Sequence, residues 1–324
     1  MLILNHNIFL NLIRIYFKNK FFWLVIFFKL MNKVNIITTT YNHQKFIAKC
    51  IKNIVNQKTN FKYKLIISDD ASTDSTAKII ENFKIKYPEK IEFIKRSKNI
   101  GAYENYVNTL KLVDSPFVVI CEGDDFFCNK HKLQIQYDYL LNNPDKSICF
   151  HPVKVLKSGL RNIFKRKIFP KPKNRFFKND LDLNDLLEHN FIQTNSAMYR
   201  WRFINGKDFE DIFPKNIMPC DYYLHLLHAQ TGDIGFINKV MSVYRIWDGG
   251  IWHNSRSEEN FTKHILNHGI NQLNFIIEVS KNIAIDKISY LEENKNLIQK
   301  IIKILIENNM KMDIKNQIEY FKNL

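Results

Sequence analysis

Short apolar runs alternate with polar, helix-forming stretches along the first half of the chain. Runs of this length, bounded by polar residues, are typical of strands that are covered on both faces of a sheet. Their alternation with helices predicts an α/β fold, built on a mostly parallel sheet flanked by helices. Five strands are predicted, at Val34–Thr38, Lys64–Ser68, Ile91–Lys95, Phe117–Cys121 and Ser147–Val153.

The stretches between these strands predict amphipathic helices. Asp74 predicts the N-cap of the second helix. Apolar faces that include Tyr106 and Leu133 predict a third and a fourth helix. The first helix has one continuous apolar stripe, which it would bury against the sheet. The stripe consists of Phe46, Ile47, Cys50, Ile51, Ile54 and Val55.

The regular pattern ends near Lys157. Nine Lys or Arg residues between Lys157 and Lys178, together with two prolines, predict a mobile basic loop. Helices and strands are predicted again beyond this loop, and the chain after Ser257 is predicted to be wholly helical. These later elements are a helix at Leu183–His189, a strand at Phe191–Tyr199, a helix starting near Asp221, and strands at Ile234–Asn238 and Val240–Ile246.

The N-terminal segment, residues 1–30, is both apolar and basic. Its longest uncharged stretch, Phe21–Phe28, is too short to span a bilayer as a helix. No small-residue cleavage site follows, which argues against a secretory signal. Two interpretations remain: a helix that lies in the membrane interface, or an extension ahead of a natural start at Met31.

The formal charge of +16 favours acidic partners, such as nucleic acid, an anionic membrane surface or phosphorylated substrates. The aromatic signature of RNA-binding sheets is missing from the sequence, so we expect no nucleic-acid partner. The five cysteines form no C-x-x-C pair, which indicates free thiols in a reducing cytosol rather than a metal array.

Polar side chains follow the predicted strands where a ligand would bind. The first strand ends in TTTYN, and the carboxyl ends of strands are the binding edge of open α/β sheets. Asp69 and Asp70 close the second strand, where a carboxylate can accept a hydrogen bond from the ring N–H of a pyrimidine. Asp221 begins a later helix and by itself predicts only a helix cap.

An acidic cluster follows the fourth strand, in the stretch CEGDDFF. Its carboxylates, Glu122, Asp124 and Asp125, repel one another and need a cation or a hydrogen-bonding ligand. Hard oxygen ligands suit magnesium or manganese, which would in turn neutralise a diphosphate.

In their order and spacing, these motifs resemble family 2 glycosyltransferases of the GT-A fold, which build bacterial surface polysaccharides. The resemblance runs from about Asn32 to Asn254 and includes TTTYN, IISDDASTD, NIG, CEGDDFFCNKHKL, FIQTNSAMYR and VMSVYRIWDGG. It implies a GT-A domain over residues 31–256, with a nucleotide-binding half at 31–153 and an acceptor half at 154–256. A helical extension at 257–324 would follow.

The resemblance also implies a role for each matching residue. Nucleotide-binding positions are Thr39, Tyr41, Asp70, Asn99, Gly101, Glu122 and Asp124. Asp70 would read the base, which is expected to be uracil. Asp124 would lie near the ribose and share the metal with Asp125, and Asp221 would be the catalytic base.

The implied reaction moves a hexose or N-acetylhexosamine from a UDP-linked donor to a hydroxyl of a lipopolysaccharide, lipooligosaccharide or capsule glycan. It would invert the anomeric configuration, use Mn²⁺ or Mg²⁺, and take place in the cytoplasm at the inner face of the membrane. A second interpretation is a GT-A protein that has lost catalysis and only binds a saccharide or a partner.

The sequence departs from the family pattern at two positions. Glu122 stands where Asp is more usual, and Trp247 stands where the family often has His. His253 is a candidate to replace that His. His225 and His228 lie three residues apart on one predicted helix and are interpreted as packing or surface residues rather than as metal ligands.

Overall fold

A computed structural model describes residues 33–157, 167–170, 181–250, 258–283 and 286–322. The predictions for the N-terminal segment and for His253 therefore lie outside the described residues, as does most of the predicted basic loop.

The described residues form eleven strands and ten α-helices. The strands are β1 (Val34–Thr40), β2 (Tyr63–Asp69), β3 (Ile91–Lys95), β4 (Phe117–Ile120), β5 (Phe126–Phe127), β6 (Lys146–Phe150), β7 (Val153–Lys157), β8 (Lys167–Phe169), β9 (Met198–Arg200), β10 (Asp233–Phe236) and β11 (Ser242–Ile246). The helices are α1 (Ile47–Val55), α2 (Thr76–Lys86), α3 (Ala102–Leu110), α4 (Lys132–Asn142), α5 (Leu183–Glu188), α6 (Phe209–Ile212), α7 (Cys220–Ala229), α8 (Glu258–Asn282), α9 (Lys287–Glu307) and α10 (Lys315–Lys322).

Seven strands form the central sheet, in the order β10-β6-β9-β4-β1-β2-β3. All neighbours pair in parallel except β9, which runs antiparallel to both β4 and β6. This sheet confirms the predicted mostly parallel α/β architecture. Its strands are apolar because both faces are covered by helices, and the first predicted helix, α1, buries its apolar stripe as expected. Each fully buried aliphatic side chain contributes about 1.5–3 kcal/mol to stability.

The predicted strand Ser147–Val153 is confirmed only in part, because the chain leaves the central sheet after Phe150 and changes sheet within the predicted range. β6 belongs to the central sheet, whereas β7 belongs to a second sheet of order β5-β11-β7-β8. Pro152 stands at the break; it has no N–H to donate to a strand and it restricts the residue before it.

The predicted strand Phe191–Tyr199 is also wrong over most of its length. Thr194–Ser196 form a 3₁₀ turn, and only Met198–Arg200 pair in the sheet. The hydroxyl of Ser196 donates to the carbonyl of Gln193 at 2.6 Å, so a local side-chain bond replaces strand pairing there. Within the predicted basic loop, Lys167–Phe169 form β8 instead, which pairs with β7.

The C-terminal helices α8, α9 and α10 confirm the predicted helical extension. α8 and α9 pack closely at Gly269, where an added Cβ would lie 3.2 Å from Cγ2 of Ile301. Among the described helices, none is both long and apolar enough to cross a membrane.

Two histidines on α7, His225 and His228, are fully buried, so they pack in the core rather than on the surface. Burial lowers the pKa of His225 to about 4 and that of His228 to about 3. Both ring nitrogens of His228 lack a hydrogen-bond partner among the described residues. Below the ordinary histidine pKa of about 6.5, the unfolded chain therefore binds protons that the folded chain excludes.

The free energy of unfolding is thus expected to fall as pH drops from about 6.5 towards 4, by up to about 1.4 kcal/mol per pH unit for each histidine. His228→Leu, which leaves no ring nitrogen unpaired, should show a flatter dependence. Urea unfolding at several pH values measures both slopes. Equal slopes in the wild type and the variant would contradict the prediction.

Candidate active site

A cleft of about 650 Å³ opens at the carboxyl ends of the central strands. It brings together chain segments that are far apart in sequence. Eight of the nine predicted site residues line it: Thr39, Tyr41, Asp70, Asn99, Gly101, Glu122, Asp124 and Asp221. The ninth, Asp125, is buried beside Glu122 and Asp124.

Asp70, which follows β2, organises one part of the cleft. Its two carboxylate oxygens accept hydrogen bonds from the backbone N–H groups of Ile100, at 2.8 Å, and Gly101, at 2.9 Å. Gly101 has φ +91°, a conformation that favours glycine. Asp70 therefore fixes the loop before α3. The sequence analysis did not predict this role. Tyr41, whose side chain is exposed, borders the same cleft.

The acidic cluster is a second part of the site. One carboxylate oxygen from each of Glu122, Asp124 and Asp125 lies within 4.8 Å of the others. Burial, followed by the charges of Asp124 and Asp221, raises the pKa of Glu122 to about 8. Burial and the neighbouring carboxylates also raise the pKa of Asp125.

Contacts to β11, to the loop after it and to the 3₁₀ turn Thr194–Ser196 hold this cluster in place. Asp125 accepts from the backbone N–H of Arg245 at 2.7 Å and from the side-chain amide of Asn195 at 2.6 Å. Asp124 accepts from the indole N–H of Trp247 at 2.7 Å. Three converging carboxylates with little cationic compensation fit the hard-oxygen ligand set that Mn²⁺ or Mg²⁺ prefers. Glu122, Asp124 and Asp125 are therefore the residues that could hold such a metal.

Asp221 lies in the first turn of α7 and is half-buried at the wall of the cleft. Its Oδ2 accepts a hydrogen bond from the hydroxyl of Thr194, and its Oδ1 accepts from the backbone N–H of Tyr222 at 2.9 Å. The 3₁₀ turn that replaces the predicted strand is what brings Thr194 to this carboxylate. The arrangement fixes a proton acceptor at the edge of the cleft.

A family model described as "Glycosyl transferase family 2" matches residues 35–205. The chain belongs to this family. It is 36% identical over 238 residues to an uncharacterized protein of Mycobacterium tuberculosis, a match that covers 73% of this chain and 65% of that protein. The chain thus spans less than two thirds of this relative.

Solved structures with the same fold include S. aureus TarS in complex with UDP, with a TM-score of 0.54 and 18% identity over 80% of this chain and 68% of that one. Mannosyltransferase PcManGT from Pyrobaculum calidifontis, in complex with GDP-Man and Mn²⁺, has a TM-score of 0.51 and 14% identity, covering 89% of this chain and 87% of that one. These likenesses confirm the predicted GT-A fold.

Several residues in or beside the cleft of this family 2 chain were not predicted as site residues. The ring of Trp247 packs edge-on against His43, with centroids 5.7 Å apart. Gly123 leaves no room for a side chain, because an added Cβ would lie 2.7 Å from Oγ1 of Thr40 and 2.8 Å from Nδ1 of His43. In the sequence, the glycine within EGDD is the feature that could have indicated this close approach.

Tyr106 is the least expected member of the site, since its position in α3 predicted only core packing. It is 4% exposed, it lines the cleft, and its hydroxyl has no hydrogen-bond partner among the described residues. Burial raises the pKa of Tyr106 well above its usual value, and the charges of Asp221 and Glu122 act in the same direction. The phenol is therefore a protonated donor that finds no acceptor among the described residues.

Proposed function

We propose that this chain is a metal-dependent, inverting glycosyltransferase that moves a hexose or N-acetylhexosamine from a UDP-linked donor to an acceptor hydroxyl. One observation carries the proposal. A single cleft collects carboxylates from three separate parts of the chain: Asp70 after β2, Glu122 and Asp124 after β4, and Asp221 at the start of α7. Each suits one requirement of the reaction.

The donor nucleotide would occupy the part of the cleft that Tyr41 and Asp70 line. The exposed ring of Tyr41 offers a face on which a base can stack. Each carboxylate oxygen of Asp70 accepts one hydrogen bond from the loop and keeps a second lone pair. This carboxylate would accept a hydrogen bond from the ring N–H of uracil. The UDP bound by TarS, a protein of the same fold, supports this choice of nucleotide.

The diphosphate would lie at the acidic cluster. A bound Mn²⁺ or Mg²⁺ would stabilise the negative charge that grows on the leaving nucleoside diphosphate. Glu122 and Asp124 face the cleft and would hold this ion together with Asp125, which the contacts from Asn195 and Arg245 orient. The Mn²⁺ complex of PcManGT supports the ion proposed here.

Asp221 would be the general base. Thr194 and the N–H of Tyr222 hold its carboxylate while one of its oxygens takes the proton of the acceptor hydroxyl. That hydroxyl oxygen attacks the anomeric carbon from the face opposite the leaving diphosphate. A single displacement of this kind inverts the anomeric configuration.

The proposal is tested by incubating the purified chain with a panel of UDP-sugars and Mn²⁺ and measuring the release of UDP. We expect slow, metal-dependent hydrolysis that EDTA abolishes. UDP binding without turnover of any UDP-sugar would favour the alternative of a GT-A protein that only binds. A chain that does not bind UDP would overturn the proposal.

Tyr106→Phe is expected to lower kcat by about tenfold or more, because the donor sugar lies between the diphosphate and Asp221, and the unpaired phenol would donate to one of its hydroxyls. The variant should be as stable as the wild type or more stable, since it removes a buried polar group that has no partner in the described part of the chain. Steady-state rates and a thermal melt measure both effects. Unchanged kcat together with raised stability would mean that the hydroxyl does not contact the sugar.

The acceptor is proposed to be a bacterial surface glycan or glycolipid, in line with the family resemblance. Association with an anionic membrane surface at the cytoplasmic face stays a prediction from the net charge of +16. Sedimentation with anionic liposomes tests this prediction. If the protein stays in the supernatant at both low and high salt, the prediction is wrong.

A further inference from the structure

The C-terminal helix α8 reaches the cleft, although it lies outside residues 35–205, which match the family model. Two of its residues, His268 and Asn271, line the cleft. They are three residues apart and therefore lie on the same face of the helix. The helical extension is thus part of the wall of the site as well as of the core.

α8 also holds the segment that leads to Asp221. The main-chain carbonyl of Asn271 accepts from the N–H of Met218 at 3.0 Å. The side-chain amide of Asn274 donates to the carbonyl of Asn216 at 3.1 Å. On the other side, the hydroxyl of Tyr103 in α3 donates to the carbonyl of Pro214. The segment is therefore fixed between α3 and α8.

This wall is where an acceptor must lie. Asn216, Met218 and Asp221 all line the cleft with His268 and Asn271. Under the proposed function, the acceptor hydroxyl must reach Asp221, so the acceptor has to pack against the wall that surrounds this carboxylate.

The charge of the wall restricts what can bind there. Among the described residues that line the cleft, Arg245 is the only Lys or Arg, and its Nε donates to the carbonyl of Asp124 at the acidic cluster. Glu104 adds a carboxylate on the α3 side. Burial lowers the pKa of His268, which favours the neutral form of this imidazole. Among these residues, a phosphate-bearing acceptor would thus meet mostly negative charge, and Arg245, the one cation, already contacts the acidic cluster.

We propose that α8 forms the acceptor subsite, where His268 and Asn271 hydrogen-bond the hydroxyls of an uncharged saccharide. The inference rests on the proposed function and makes the substrate class more specific. Neutral imidazole and amide groups can both donate to and accept from sugar hydroxyls, whereas a polyanionic glycan needs cations.

The test compares Asn271→Ala and His268→Ala with the matched control Asn267→Ala. Asn267 is on the same helix but is exposed and does not line the cleft. Asn271→Ala keeps the main-chain bond to Met218, so the fold of the wall is preserved, and a thermal melt checks this. The uncharged probes are lactose, cellobiose and diacetylchitobiose, and the polyanionic probe is a glycerol phosphate oligomer. Each probe is titrated by NMR in the presence of UDP and Mg²⁺.

We expect at least one uncharged disaccharide to bind saturably to the wild type and to Asn267→Ala with equal Kd. In Asn271→Ala and in His268→Ala, that Kd should rise about tenfold while the Kd of UDP stays unchanged. Binding of the glycerol phosphate oligomer alone, binding of neither class, or an equal disaccharide Kd in all variants would overturn the inference. A wild type that fails to bind UDP before any saccharide is added would instead overturn the proposed function, and this inference with it.

Discussion

Asp221→Asn is expected to reduce glycosyl transfer by about a thousandfold, because an amide cannot take the proton of the acceptor hydroxyl. General-base catalysis typically contributes about 10²–10⁴-fold to a rate. The amide has the same shape as the carboxylate and its oxygen still accepts one hydrogen bond, and the hydroxyl of Thr194 can rotate to accept from the new NH₂ group. UDP binding and the melting temperature should therefore stay close to the wild type.

Initial rates with a UDP-sugar and an accepting glycan measure this effect, alongside UDP titration of both proteins. Thr194→Val provides the comparison, since it keeps the carboxylate but removes one of its two hydrogen bonds. We expect that variant to lose only about tenfold in rate. If Asp221→Asn kept more than a tenth of the wild-type kcat, another group would have to be the base.

Asp124→Asn is expected to lower activity by about a hundredfold and to raise the Mn²⁺ concentration needed for half-maximal activity. It removes one of three carboxylates whose oxygens lie within 4.8 Å of one another. The amide oxygen of the variant can still accept from the indole N–H of Trp247, so we expect the fold to be unaffected. Activity and Mn²⁺ binding by calorimetry are the two measurements.

Asp125→Asn is the matched comparison in the same cluster. Both oxygens of Asp125 accept from donors, the N–H of Arg245 and the amide of Asn195. An amide at this position would turn its own NH₂ towards one of them, and a buried unpaired group costs about 1–3 kcal/mol. The variant should therefore lose stability as well as activity. An Asp124→Asn enzyme with wild-type Mn²⁺ dependence would contradict the assignment of the cluster as a metal site.

Much of the central sheet could be predicted because its signals are local. Each of β1 to β4 is a short apolar run, and the helices between them have one apolar stripe. The errors occur where a longer-range contact or a single residue overrides the pattern. Pro152 divides a continuous apolar stretch between two sheets. The polar residues of Thr194–Ser196 turn the chain out of a predicted strand and towards the cleft.

The sequence by itself determined the fold class, the family and the placement of acidic residues after strands, because periodicity and motif spacing are properties of neighbouring residues. Only the tertiary structure decided which partners hold those carboxylates. The loop amides at Asp70, the hydroxyl of Thr194 at Asp221 and the approach of α8 to the cleft all depend on contacts between distant segments. No local pattern encodes such contacts, since they form only when the sheet and the C-terminal helices pack together.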